Sequence, residues 1–184
     1  MLLYKKINIP NFEIISEEIL TLVQPQISQN LRFWDVPAAL FFKHTPVFFH
    51  YVSKNFYRFP LLFRFYNTPP FGKLTPHIDN VNGAKNKIAL NIPLLGTKNT
   101  SMDYYTTVED NLYITYTEGK AYLPVQVIRD ESQITVIDSL ELDTPTLVRT
   151  DVIHGVKNNN DTYRLIMSLK FTGSTFEEVY KLEL

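Results

Sequence analysis

The stretch TPHIDN puts His77 and Asp79 two residues apart, directly after Pro76. In an extended chain, side chains at i and i+2 point the same way. Their Cα atoms would lie roughly 6.6 Å apart at a rise of about 3.3 Å per residue. An imidazole nitrogen and a carboxylate oxygen so placed can reach one divalent ion. A divalent iron site of the facial type needs one more His and leaves positions open for substrate and oxygen. The chain has no cysteine. Disulfide and thiolate chemistry are thereby excluded, and any metal must be held by His, Asp or Glu.

Of the four His, His44 and His50 lie in an apolar N-terminal segment, where a lone His is usually structural or half-exposed. His154 differs. In TPTLVRTDVIHGVKNNNDTYRLIMSLKF a strand is expected to end in the pair His154-Gly155, a polar turn to follow, and another strand to open with Arg164. Arginine has a chemical reason to stand there. A dicarboxylate co-substrate that chelates a metal leaves its far carboxylate free, and a guanidinium grips a carboxylate through two parallel hydrogen bonds. On that strand Arg164, Ile166 and Ser168 share one face, and Leu165, Met167 and Leu169 share the other. If the leucines and Met167 pack outward against helices, Arg164 points into the barrel.

His77-x-Asp79, then His154, then Arg164 ten residues on, resembles the iron(II)/2-oxoglutarate-dependent dioxygenases, over roughly residues 60–172. LNIPL at 90–94 followed by SMDYY at 101–105 is similar to the strand pair after the HxD in several branches. His154-Gly-Val-Lys-Asn158 with Arg164 looks like the aspartyl/asparaginyl hydroxylase-like and related branches. HxD alone is a weak signal, whereas the ordered set on strand-like segments is much more specific.

The resemblance implies a double-stranded β-helix, the jelly-roll or cupin-like barrel. It implies Fe(II) held by His77, Asp79 and His154, and 2-oxoglutarate held by Arg164. With O2, oxidative decarboxylation to succinate and CO2 would accompany oxidation of a C–H bond, usually to a hydroxylated carbon. Many relatives carry Ser two residues after the Arg; here that place is Ile166 and the Ser comes at 168. Asn91, Tyr104, Tyr105 and Ser168 are further candidates to line the pocket, and alternation leaves open which tyrosine faces in. The nucleic-acid demethylase branch commonly has a second Arg six residues after the first, where this chain has Lys170. Two other function classes stay open. One is a cupin-like metalloenzyme without 2-oxoglutarate, with His154-x-x-x-Asn158 faintly like a second cupin motif although the first is missing. The other is a non-catalytic barrel that serves as a binding module.

The elements that must position these residues are legible in outline. With 184 residues, 45% hydrophobic and 20% charged, the chain suits one globular domain. Aromatics at 14% favour a β-rich core. SEEILTLVQ at 16–24 predicts a helix capped by Ser16 and stopped by Pro25. Thr45-Pro46 predicts a second helix start, with Thr as the cap and Pro at the first helical position. From residue 59, FPLLFRFYN, KIALNIPLL, NLYITYTE, AYLPVQVIR, SQITVID, TPTLVRTD and YRLIMSLKF predict antiparallel strands.

The fold class expected is mainly β (α+β). Residues 1–58 form a helical N-terminal support, 59–172 the double-stranded β-helix core and 173–184 a tail. The interval from His77 to His154 is long for such a barrel, and an extra hairpin around NLYITYTEGKAYLPVQVIR is expected, either as a lid over the mouth, the preferred reading, or as structural padding. Arg64 is expected to pair with a surface acid rather than point into the site, Asp151 to orient His154 or cap a turn, Lys73 to solubilise a loop and Trp34 to anchor the core or a domain edge.

Partners follow from charge and composition. A net charge of -1 offers no basic groove, so nucleic acid is a poor guess. The most apolar stretch, AALFFKHTPVFFHYV, is broken by Lys43, His44 and Pro46 and cannot supply the roughly 20 apolar residues of a membrane span. The N-terminus lacks the pattern of a signal peptide. A cytoplasmic protein with a small-molecule or peptide substrate is expected.

Overall fold

A computed structural model describes residues 1–28, 31–60, 62–79, 87–116, 124–171, 173 and 175–181. Among the described residues, twelve strands form two six-stranded sheets. They are β1 (Tyr4–Lys6), β2 (Phe33–Pro37), β3 (Leu62–Thr68), β4 (Lys73–Asp79), β5 (Ile88–Leu95), β6 (Thr100–Thr107), β7 (Leu112–Tyr116), β8 (Pro124–Ile128), β9 (Ile134–Glu141), β10 (Thr146–Arg149), β11 (His154–Asn158) and β12 (Arg164–Phe171). The major sheet runs β1-β10-β5-β12-β3-β2 and the minor sheet β7-β8-β4-β11-β6-β9. All pairings are antiparallel.

The order identifies the architecture. Leaving aside the β7–β8 hairpin, the eight strands from β3 to β12 switch sheet at every step except β6 to β9. That winding is the double-stranded β-helix, in which two sheets close around an interior. The expected barrel is therefore present, and the N-terminal region adds β1 and β2 to the two edges of its major sheet.

Alternation along each strand sorts the core. Leu165, Met167 and Leu169 of β12, Ile88, Leu90 and Ile92 of β5, and Phe63 and Phe65 of β3 are all buried in one cluster with the helices. This is the outer face of the major sheet. Against it pack α1 (Phe12–Ser28), α2 (Ala38–His44), α3 (Pro46–Asn55) and α4 (Phe176–Val179). Phe41 stacks on Phe63 at 4.1 Å, and Trp34 stacks on Phe65 at 5.2 Å. A second cluster of Ala89, Met102, Tyr104, Leu140, Val148 and Ile166 fills part of the barrel between the sheets.

Three local expectations are corrected. The first helix starts at Phe12, not Ser16, and runs through Pro25 to Ser28. A proline removes one helical hydrogen bond, and near a C-terminus the helix can lose it without breaking. Thr45 does precede α3, but its hydroxyl donates to the Phe41 carbonyl at 3.0 Å and caps nothing in α3. No strand ends at His154-Gly155: β10 stops at Arg149 and a new strand begins at His154.

The described part of the 112–128 hairpin is two further strands of the minor sheet, with β8 paired to β4 from His77↔Val127 to Asp79↔Val125. It buttresses the strand that carries HxD. Its tip lies outside the described residues. Among the described residues, no helix is long and apolar enough to cross a membrane.

Candidate metal centre

Pro76 and Gly155 weaken a strand reading, yet they shape the site. On β4 the residues between Leu74 and His77 outnumber those between Val156 and His154 on β11, so the ladder bulges there. Pro, which lacks an N–H, is tolerated at a bulge. Gly155 lies opposite, where an added Cβ would stand 3.0 Å from the Leu74 carbonyl oxygen. This close approach brings His154 directly across from His77, with ring centroids 4.6 Å apart.

The two rings are oriented alike. His77 Nδ1 meets the Thr75 carbonyl at 2.8 Å, and His154 Nδ1 meets the Val152 carbonyl at 2.9 Å. A carbonyl only accepts, so Nδ1 carries a proton in both rings and Nε2 is the nitrogen left to face an ion. Asp79 Oδ1 lies 3.5 Å from His77 Nε2. One ligand atom from each of His77, Asp79 and His154 falls within 4.8 Å of the others. The turn before β11 is stitched to the site on both sides: Asp79 N donates to Thr150 O, and Tyr105 N donates to Ile153 O, each at 2.9 Å.

Electrostatics keep this donor set in ligand form. Burial of His154, reinforced by His77 nearby, lowers its pKa to about 4, so it is neutral at neutral pH. Burial alone would raise Asp79, but the Lys170 ammonium holds it well below the usual carboxylate range. Lys170 Nζ lies 2.6 Å from Asp79 Oδ2. Two imidazoles and one carboxylate, with no thiolate, suit divalent iron, and other first-row ions as well.

The remaining sequence candidates take distinct places. Arg164 is 2% exposed and donates through Nε to Thr100 Oγ1 at 3.2 Å, across to the minor sheet. Its Nη2 is buried without a hydrogen-bond partner. Burial depresses its pKa to about 9, so it stays charged at neutral pH. Ser168 pairs in register with Asn91, and both lie on the interior face of the major sheet. Asn91 Nδ2 is 3.9 Å from Met102 Sδ.

Of the two tyrosines, Tyr104 faces in, with its ring 6.5 Å from that of His154, but its hydroxyl donates to the Leu3 carbonyl at 3.0 Å. Tyr105 belongs to a small cluster with Ile153, Ile128 and Ile78, on the sheet face away from His77 and Asp79. Its hydroxyl donates to Asp103 at 3.2 Å.

Asp151 pairs with Arg149 and approaches Lys87 at 3.9 Å, so it does not orient His154; the Val152 carbonyl does. Asn158 donates to the carbonyls of Pro69 at 2.9 Å and Thr162 at 2.8 Å and so ties loops together. Arg64 forms a two-pronged pair with Asp35, and Lys73 pairs with Glu131. Lys170 is the residue that sequence reasoning missed. Alternation places it on one face with Arg164, Ile166 and Ser168, but alone does not bring it against Asp79.

No protein-family model matches this chain, and no curated protein matches it. Among solved structures, it is similar to a non-heme monooxygenase, ThoJ, in its apo form, at 13% identity over 92% of this chain and 74% of that one, with a TM-score of 0.49. It is similar to AviO1 from Streptomyces viridochromogenes at 13% identity over 94% of this chain and 90% of that one, with a TM-score of 0.45. An uncharacterised double-stranded β-helix protein from Klebsiella pneumoniae matches 61% of this chain and 68% of its own at 10% identity, with a TM-score of 0.31. The fold rests here on the strand order, and the site on its own geometry.

Proposed function

We propose that this chain is an Fe(II)- and 2-oxoglutarate-dependent oxygenase, a hydroxylase acting on a C–H bond of a peptide side chain, an amino acid or another small molecule. The observation that carries the reading is Arg164. A buried guanidinium with an unpartnered Nη2 is costly unless something anionic arrives. Its strand also carries Lys170, which touches the metal cluster. A linear dicarboxylate whose other end chelates the ion satisfies both ends at once.

His77 Nε2, Asp79 Oδ1 and His154 Nε2 would hold the ion on one side, and Arg164 would take the far carboxylate with its planar fork. The apolar ring and chains of Tyr104, Met102 and Ile166 keep water from the interior around them. When bound, iron and the keto acid would, with O2 as the oxidant, supply oxidative decarboxylation to succinate and CO2 coupled to C–H oxidation, one oxygen atom going to succinate and one to the substrate. A net charge of -1 supports a substrate other than nucleic acid.

The test is an anaerobic titration of the protein with Fe(II) and then 2-oxoglutarate, following the visible charge-transfer band of the chelate. The band is expected in the wild type and absent in His154→Ala. Tight Fe(II) binding without a band would overturn the 2-oxoglutarate reading and favour a cupin-like metalloenzyme without that co-substrate. Absence of metal binding would overturn both.

A further inference from the structure

The carboxylate of Asp79 is divided between two neighbours. Oδ1 faces His77 Nε2 at 3.5 Å, while Oδ2 receives Lys170 Nζ at 2.6 Å. Lys170 is largely buried, on the interior face of β12 six residues beyond Arg164. Its other charged and titratable surroundings are His77 and His154 of the cluster, Tyr66 on the adjacent β3, and Arg64, which is itself paired to Asp35. The ammonium thus has one anionic partner in reach among the described residues, and that partner is a candidate metal ligand.

We propose that Lys170 is a positioning residue of the metal centre: by occupying Oδ2 it makes Asp79 bind an ion through Oδ1 alone. The inference rests on the metal reading above. A carboxylate with both oxygens free can clasp an ion with two points and consume a coordination position. With Oδ2 held, that position stays open for a chelating co-substrate and oxygen. The charge follows the same logic. Lys170 and Asp79 cancel, so a bound divalent ion keeps its full double charge to attract a dianion.

The number of waters on a bound ion reports this without turnover. Loaded with Mn(II) alone, the wild type is expected to show about three inner-sphere waters by proton relaxivity, as a facial three-ligand set leaves. Lys170→Met is expected to show about two, a fall in inner-sphere relaxivity of roughly one third. Lys170→Arg, which keeps a cation on Oδ2, is expected to match the wild type. Wild-type protein with only two waters would overturn the proposal, and needs no variant to fold. So would a Lys170→Met protein that binds Mn(II) and keeps three, or a Lys170→Arg protein that falls with Lys170→Met. Wild-type protein that binds no Mn(II) fails at the metal reading itself, a different result from any change in water number.

Discussion

His77 and His154 face each other in the β4–β11 ladder, and each is locked by the carbonyl two residues before it. Both Nε2 atoms are therefore oriented before any ion arrives. Loss of either ring removes a ligand held in place. His77→Ala and His154→Ala should each weaken Fe(II) or Co(II) binding by more than about 100-fold, beyond the 10–100-fold typical of losing an outer partner. Anaerobic calorimetric titration measures it, and unchanged affinity in either variant would remove that residue from the centre.

Arg164→Ala should separate the two ligands. It touches none of the metal-binding atoms, so metal affinity should hold, while 2-oxoglutarate binding should weaken by about 2–5 kcal/mol, as for a truncated buried charge pair. Lys in its place should rescue only in part, because a point charge lacks the fork. Equal losses for metal and 2-oxoglutarate would show that Arg164 holds the barrel together instead.

Gly155 tests the close approach of β4 and β11. A Cβ there meets the Leu74 carbonyl at 3.0 Å, so Gly155→Ala must push the two strands apart. We expect a cost of about 1–3 kcal/mol in denaturant unfolding. A drop in metal affinity should accompany it, since the strain falls between His77 and His154. Full stability with lost metal affinity, or the reverse, would uncouple bulge from site.

Asp103 predicts an acid limb in stability. It stands opposite Gly155 in the β6–β11 ladder. Burial tends to raise its pKa, but Lys157 at 2.7 Å and Ser139 at 2.7 Å lower it below the usual aspartate value. A depressed folded-state pKa means the unfolded chain takes up the proton first. The stabilisation is complete above the ordinary value of 3.8 and is lost as pH falls through the folded pKa. Urea unfolding of the metal-free protein between pH 6 and pH 3 should show that loss, and Asp103→Asn should be less stable at pH 6 with a flatter acid limb. A variant with the wild-type profile would rule the pair out as a source of stability.

How much of this could be read from the chain depends on what each residue signals. His77, Asp79, His154 and Arg164 announce themselves because few other jobs require those types in that order. That Leu165, Met167 and Leu169 share a face followed from period two, and their packing outward against the helices came from the structure. The strands nearest the chemistry were the hardest to see. β4 contains Pro76, β11 contains Gly155, and β6 reads TSMDYYTT, so local propensity is poor where ladder partners and a bulge decide the outcome. Which tyrosine faces in was invisible for a similar reason, because adjacent residues look alike until the register is set. Lys170 was noticed only as the wrong residue for a second arginine, since a contact with Asp79, on a strand of the other sheet, has no sequence signature.

The His77–His154 pairing has a consequence in time. The two strands that meet there are separated by most of the barrel's chain, so their pairing closes a long loop. Such long-range closure is among the slow steps of folding. An ion present during synthesis would meet His77 and Asp79 first, a bare two-point ligand free to dissociate. On the metal reading the centre is complete only once β4 and β11 have paired, so a retained ion would mark a barrel that has closed.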